Sequence, residues 1–447
     1  MRYPARGDRT GINRRRFLAA LLAGATLPLW ARAQSTNPDV VIVGAGAAGL
    51  AAARALAEAG LTFVLIEAKD RIGGRAFTDT TSFGLPFDHG CSWLHHSDRN
   101  PFTPIAEAAG FTLLPHDDAG EAVFVDDRPA SDEEMSAFDD AWDAAIGAVR
   151  KVGVSGEDIA PGPSMPVNLP WSNVSKSWIG PLSMGADVED FSAHDWWALD
   201  DTDPDLMVRE GYGTIVALYG KDVPVSLSTP ATLVRWGGSG VSVETPSGTI
   251  NAKTCIVTVS TGVLASEAIR FDPPLPVEKQ EAIAGLPMGL LAKIPLQFEG
   301  TRFGLTPNDW LSYAANDERL CYFLNWPFDM DLMIGWVGGR FGWELSAAGE
   351  DAAVDFGLGE LRRIFGGDVD RHFVKGGFTA WANDPDVRGG YAYQRPGAAG
   401  ARTALSRALD DRLFFAGEAT AGSFAMTCGG AFRSGERAAR EILSALG

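Results

Sequence analysis

The apolar positions change period along the chain, and the changes outline the fold. Val40, Val41, Ile42 and Val43 are four consecutive apolar residues, the pattern of a short strand buried on both faces. Residues 50–60, rich in alanine and closed by Gly60, predict a helix, and Phe63–Ile66 predicts a second parallel strand. Residues 131–152 read as an acidic amphipathic helix, 155–171 as a Gly/Pro-rich connection, and 178–205 as an aromatic and acidic stretch. Between 223 and 259 the period shortens to alternating strands, a meander that rejoins the first sheet. More strands and a helix at 355–365 follow over 298–376. Leu413, Phe414 and Phe415 then form a buried strand entering a tight turn at Gly417-Glu418, and 430–446 predict a terminal helix. No repeat period or long low-complexity tract interrupts this order. The fold class expected is α/β with α+β character. One Rossmann-like domain is built from 34–110, 206–297 and 378–447, and a second domain, from 111–205 and 298–377, is inserted into it.

The turn between the first strand and helix carries Gly44-Ala-Gly46-Ala-Ala48-Gly49. In such a turn the first glycine allows the tight bend, the second lets backbone N–H groups approach a pyrophosphate, and the third lets helix and strand pack closely. The helix N-terminus then faces the phosphates with its positive end. Glu67 ends the second strand eighteen residues after Gly49, where a carboxylate can accept hydrogen bonds from ribose hydroxyls. This pattern by itself does not separate NAD from FAD. Gly73-Gly74-Arg75 favours FAD, because two glycines bring the chain close to the pyrophosphate and an arginine fork can neutralise it.

At 447 residues and 46% hydrophobic, the chain can bury two substantial cores. Its first 33 residues are a separate matter. Arg14, Arg15 and Arg16 precede an apolar run from Phe17 to Trp30, and Ala31-Arg32-Ala33 has the form of a cleavage site. The run is too short, and too broken by Gly24 and Pro28, to span a bilayer comfortably. These residues predict a twin-arginine signal peptide, recognition by the twin-arginine translocase, export of an already folded chain to the periplasm, and no stable membrane insertion after cleavage. Without the signal the formal charge falls from −19 to −25, with 31 basic residues against 56 acidic. That balance speaks against nucleic acid as a partner. It would steer cationic substrates inward, or serve solubility alone. Cys91, Cys255, Cys321 and Cys428 form no CxxC pair and histidine is scarce, so no metal site is expected; folding in a reducing cytosol predicts free thiols.

Several ordered blocks together resemble the flavin-dependent amine oxidases of the monoamine oxidase and polyamine oxidase group. They are Gly44 to Arg75; Phe87-Asp88-His-Gly90-Cys-Ser-Trp93-Leu-His95; Ile256 to Val263 with Phe271-Asp-Pro-Pro274; Lys293; Trp381 with Asp384-Pro385; Gly390-Tyr391; Phe415-Ala-Gly417-Glu418-Ala-Thr420; and Thr427 with Gly430-Ala431. The resemblance implies the amine oxidase fold, with Gly44, Gly46, Ala48, Gly49, Gly73 and Gly74 in the phosphate turn, Glu67 on the adenosine ribose and Arg75 on the pyrophosphate. It places Gly90, Cys91, Ser92 and Trp93 beside the flavin, Ala231 near the adenine, and Gly417, Glu418 and Ala431 at the ribityl-phosphate end. Lys293 matches the family lysine that holds a water at flavin N5, and its apolar neighbours Leu290, Leu291, Ala292, Ile294 and Leu296 mark it as buried and in need of a partner. Trp381 would wall the flavin face. His95 and Thr427 would stand on the amine side of the cavity, His95 being equally readable as a core histidine.

Departures from the group's patterns are informative too. Where covalently flavinylated monoamine oxidases carry a cysteine and the first cage tyrosine, this chain has Gly389-Gly390, which implies noncovalent FAD. Thr427 replaces the second cage tyrosine, in a Thr-x-x-Gly-Ala pattern similar to spermine oxidases. Trp93 stands where L-amino acid oxidases keep the arginine that grips a substrate carboxylate. The resemblance therefore implies oxidation of a small cationic amine, a polyamine or another primary or secondary amine, by hydride transfer to flavin N5. An imine and then an aldehyde result, and O2 is reduced to H2O2 or a periplasmic acceptor takes the electrons. A desaturase-like or protoporphyrinogen-oxidase-like flavoenzyme and a noncatalytic flavin-binding redox partner are the rival readings. The particular amine, the acceptor and the oligomeric state are not legible in the residues.

Overall fold

Five parallel strands form one half of the molecule's sheet framework: Val225–Ser226, Phe63–Ile66, Val40–Val43, Thr254–Val257 and Leu413–Phe415, in that spatial order. The computed structural model describes residues 37–379 and 381–447; the expected signal peptide lies outside them. Every residue of Val40–Val43 is buried, as a strand covered on both faces requires. One cover is a pair of helices, Ala47–Glu58 and Cys428–Leu446, so the two ends of the chain meet on this sheet. Their contact is close because of glycine. A Cβ on Gly435 would sit 2.0 Å from the Ala48 carbonyl oxygen; within the turn that opens the first helix, one on Gly49 would likewise sit 1.9 Å from the Gly44 carbonyl oxygen.

The meander from 223 divides in two. Val225–Ser226 and Thr254–Val257 join the parallel sheet, while Leu233–Arg235, Val241–Thr245 and Gly248–Ala252 make a separate four-stranded sheet with Arg270–Asp272. A seven-stranded sheet forms the other half. Its order is Phe373–Gly376, Leu291–Phe298, Leu332–Gly338, Tyr322–Leu324, Trp310–Tyr313, Glu121–Val125 and Arg128–Pro129. The boundary expected at 297 thus falls inside a strand, whose pairing with Leu332–Gly338 puts Leu291–Phe298 in the second sheet. Helix Asp132–Ser155 runs three residues beyond its expected end and starts at a capping box in which Ser131 and Glu134 exchange hydrogen bonds. Helix Glu350–Phe365 starts five residues earlier than expected. No helix among the described residues is long and apolar enough to cross a membrane.

Candidate active site

The Gly44–Gly49 turn has the tight bend and the close helix packing expected of its glycines, with Gly44 at φ +102° and Gly49 against the Gly44 carbonyl. A Cβ on Gly46 would meet no protein atom within 4 Å, so this residue borders open space. The Ala47–Glu58 helix begins there with no side-chain cap, leaving its first N–H groups turned to that space. Glu67 is buried and accepts hydrogen bonds from the N–H groups of Ala45 (2.7 Å) and Lys69 (2.9 Å). Burial pushes its pKa up, against those two bonds. Thr229 N–H bonds the Glu67 carbonyl at 2.7 Å, which brings the loop carrying Ala231 beside it. Arg75 and Glu418, which come from opposite ends of the chain, form an ion pair at 3.0 Å. Arg75 also donates to the Gly390 carbonyl at 2.6 Å, and Glu418 accepts from Ala392 N–H at 3.1 Å.

Lys293 is buried in the cavity wall. Its side chain is 2% exposed, and Nζ donates to Asp88 O (2.6 Å), Gly90 O (2.7 Å) and Ser92 Oγ (2.5 Å). These bonds fasten the Gly90–Trp93 segment to the seven-stranded sheet. The same three acceptors occupy all three ammonium protons, so a water on Nζ must compete with Ser92 or wait for the neutral amine. Burial drives the Lys293 pKa down to about 8, resisted by Asp88 and Cys91. Asp88, itself buried, accepts from Tyr212 N–H, Gly213 N–H and the Thr78 hydroxyl. Trp381 lies along the same segment and donates Nε1–H to His89 O at 2.8 Å. Gly90 must be glycine here, because a Cβ would lie 1.9 Å from Arg75 O and 3.6 Å from the Trp381 ring.

Beyond Lys293 an aromatic wall opens. The Trp336 ring stands across the strand pair from Lys293, 4.5 Å from Nζ to its centroid. Trp93 packs on Trp336 (5.3 Å), Trp310 (5.9 Å) and His95 (6.2 Å), and donates Nε1–H to His116 Nδ1 at 3.2 Å. Next comes an acidic group. His95 Nδ1 is 2.8 Å from Asp205, and although burial opposes it, Asp205 lifts the His95 pKa. Asp117, Asp203 and Asp205 bring carboxylate oxygens within 4.8 Å of one another. Partial burial, then Asp201, Asp117 and Asp205, push the Asp203 pKa up to about 6. Thr427 also faces the cavity, but its hydroxyl caps the last helix, accepting from Gly430 N–H and donating to Phe424 O.

All of these features line one cavity of about 1380 Å³. It runs from Gly44 and Glu67 past Gly90, Lys293 and Trp381 to Asp117 and Asp203, and every expected site residue lies on its wall except Gly49, which packs behind it. The space exceeds the roughly 300–1,000 Å³ of ordinary ligand pockets. It suits a dinucleotide with room left for a substrate. Residue reading missed Trp310, Trp336, His116, Asp117, Asp203 and Asp205. The aromatic and acidic character of 178–205 was a signal for the last two, whereas Trp310 and Trp336 become visible only through strand register.

A glycine-cradled nucleotide cleft joined to a buried lysine and an aromatic chamber defines a flavoprotein oxidoreductase. The family model for flavin containing amine oxidoreductases matches residues 47–176 and 184–443, and the chain belongs to that family. It is 29% identical over 443 residues to polyamine oxidase 2 of Arabidopsis thaliana, covering 92% of this chain and 89% of the relative. It is 26% identical over 460 residues to human lysine-specific histone demethylase 2, covering 91% of this chain and 53% of the relative. Among solved structures, putrescine oxidase bound to putrescine superposes with a TM-score of 0.74 at 22% identity, over 91% of this chain and 99% of that one. Cyclohexylamine oxidase from Brevibacterium oxydans IH-35A gives 0.74 at 21%, over 92% and 99%. The chain is a flavin-dependent amine oxidoreductase with the amine oxidase fold.

Proposed function

We propose that this enzyme uses noncovalent FAD to oxidise a cationic polyamine or a related primary or secondary amine in the periplasm. Bound in the cleft, the flavin would accept the two electrons of C–N oxidation and hand them to O2, giving peroxide. The chain's own residues orient and exclude. Trp93, Trp336 and Trp381 give the amine carbon an apolar chamber that fixes its approach and keeps water back. Lys293 holds the Gly90–Trp93 segment in place, and as its pKa nears 8 it can give or take a proton through Ser92.

The observation that carries the cationic substrate is the acidic group at the far end of the cavity. Partial burial first, and then the neighbouring Asp201, Asp117 and Asp205, push the Asp203 pKa up to about 6, and a distal ammonium would relieve the part that is repulsion. Opposed to them, the chamber offers no arginine at Trp93 to receive a carboxylate. Anaerobic mixing of holoprotein with an amine panel tests this reading. Di- and polyamines should bleach the flavin band faster than any L-amino acid, and an amino acid as best reductant would overturn it. Noncovalent binding is supported by Gly389-Gly390, so acid should release the flavin; colour remaining in the precipitate would refute it. Export is tested by Arg14→Lys with Arg15→Lys, which should hold folded, yellow protein in the cytoplasm. Undiminished periplasmic activity of that variant would exclude the twin-arginine route.

A further inference from the structure

His116 lines the cavity beside Trp93 and has no part in the reading above. It follows strand Leu113–Pro115, which shares strand Leu206–Val208 with Trp93–Leu94 in a small three-stranded sheet; Leu114 and Trp93 pair with Met207 from opposite sides. The backbone N–H of His116 donates to Asp205 O at 3.0 Å, which fixes the base of its side chain. Both ring nitrogens are committed. Nδ1 lies 3.2 Å from Trp93 Nε1, and Nε2 lies 2.8 Å from the Asn308 carbonyl oxygen. An indole N–H only donates and a carbonyl only accepts, so Nδ1 is bare and Nε2 carries the proton. The ring is the neutral Nε2–H tautomer. We propose that His116 in this form is a positioning residue, which sets the plane of the Trp93 indole in the wall of the substrate chamber.

Trp93 needs such a hold. Lys293 fastens the backbone ahead of it, at Gly90 O and Ser92 Oγ, and that leaves the side chain its own torsions. Ring packing on Trp336 and Trp310 fills the space around the indole, but only a directed bond at its N–H edge selects one orientation. The far anchor of that bond is itself held. Asn308, at φ +70°, donates its N–H to Asn325 O at 2.7 Å and accepts from Phe328 N–H at Oδ1, also at 2.7 Å; two residues on, Trp310 begins its strand. His116 thus ties the Trp93 indole to the seven-stranded sheet, the sheet that also carries Lys293 and Trp336. Burial lowers the His116 pKa from the ordinary histidine value, against the Asn308 carbonyl, Asp205, Asp117 and Asp309, which favour the cation. The neutral form is the one the two bonds require. What this hold does for the amine rests on the amine-oxidase reading; the hydrogen bond itself does not.

A double-mutant cycle of holoproteins tests the role: wild type, Trp93→Phe, His116→Leu and the two combined. Ultraviolet resonance Raman reads the indole N–H bending band, which moves with hydrogen bonding, and each difference across Trp93→Phe isolates the band of Trp93. That band should report a bonded N–H in the wild-type background and a free one in the His116→Leu background. His116→Asn, whose Oδ1 takes the place of Nδ1 as acceptor, should restore the bonded band. Stopped-flow reduction with spermidine reads the consequence. His116→Leu should slow the limiting rate of flavin reduction roughly three- to tenfold, the worth of one neutral hydrogen bond, and less than about twofold where Trp93 is already Phe. A role in folding alone would cost the same in both backgrounds. A free N–H in wild type, a band unmoved by His116→Leu, or equal rate losses in the two backgrounds would overturn the inference. Should His116→Leu fail to fold, the wild-type difference band decides, a bonded N–H keeping the inference and a free one removing it. If spermidine leaves wild-type flavin oxidised, the substrate reading is what fails, and the Raman bands still settle the place of His116.

Discussion

Lys293 is an ammonium held among apolar neighbours by two carbonyls and one hydroxyl, and its depressed pKa follows from that burial. Lys293→Met keeps length and apolar packing while deleting the donors, so flavin content should survive. Loss of a positioned polar group at a reacting centre typically lowers the rate about 10²- to 10³-fold. Stopped-flow traces of the reductive and oxidative half-reactions would read it; both rates within roughly threefold of wild type would remove Lys293 from the chemistry. Asp203 offers a test by pH. Below about 6 it takes up a proton and loses its charge, so its attraction for a distal ammonium fades as pH falls. KM for a diamine should therefore rise on the acid side with an inflection near 6. Asp203→Asn should raise KM roughly two- to fivefold at pH 7, the scale of an exposed charge pair, and flatten that limb. An unchanged limb in the variant would assign the inflection elsewhere.

Between elements, the decisive contacts are backbone approaches. The first and last helices touch where Gly435 faces the Ala48 carbonyl, and no side-chain rotation can relieve an added methyl there. Gly435→Ala should destabilise by about 1–3 kcal/mol, as overpacking does, and should loosen flavin retention, because the displaced helix starts at Thr427 and Cys428 on the cavity wall. Thermal unfolding and the flavin-to-protein absorbance ratio measure both effects. Wild-type values for both would mean the helices can part without cost. Strand register acts at the same scale. Pairing Lys293 opposite Trp336 places an indole over the ammonium, and a slip of one residue would turn Lys293 to the other face of the sheet.

At the scale of the molecule, a buried ion pair joins distant parts of the chain. Arg402 clasps Asp195 with two hydrogen bonds of 2.8 Å, and also donates to the Ala392 carbonyl. Asp195 belongs to the short helix Ala193–Ala198 in the aromatic and acidic stretch, and Arg402 to helix Ala401–Ser406, which packs against strand Leu413–Phe415 of the parallel sheet. Asp195→Ala would leave a buried guanidinium unpaired, which costs about 3–5 kcal/mol. The midpoint of denaturant unfolding should fall accordingly. A midpoint within error of wild type would show that the guanidinium finds other partners.

The sequence alone determined what local chemistry dictates. The run Val40–Val43, the spacing of Gly44, Gly46 and Gly49, and the position of Glu67 name a strand, a tight turn and the carboxylate that closes the second strand, because each depends on neighbours a few residues away. The run around Lys293 likewise announced a buried lysine in need of partners. Tertiary structure alone decided which partners these were, since Asp88, Gly90 and Ser92 lie some 200 residues earlier in the chain. It also decided the division of the meander between two sheets, the assignment of Leu291–Phe298 to the second one, and the gathering of Asp117 with Asp203 and Asp205. Long-range pairing and packing set these features, and no window of residues along the chain contains both halves of such a contact.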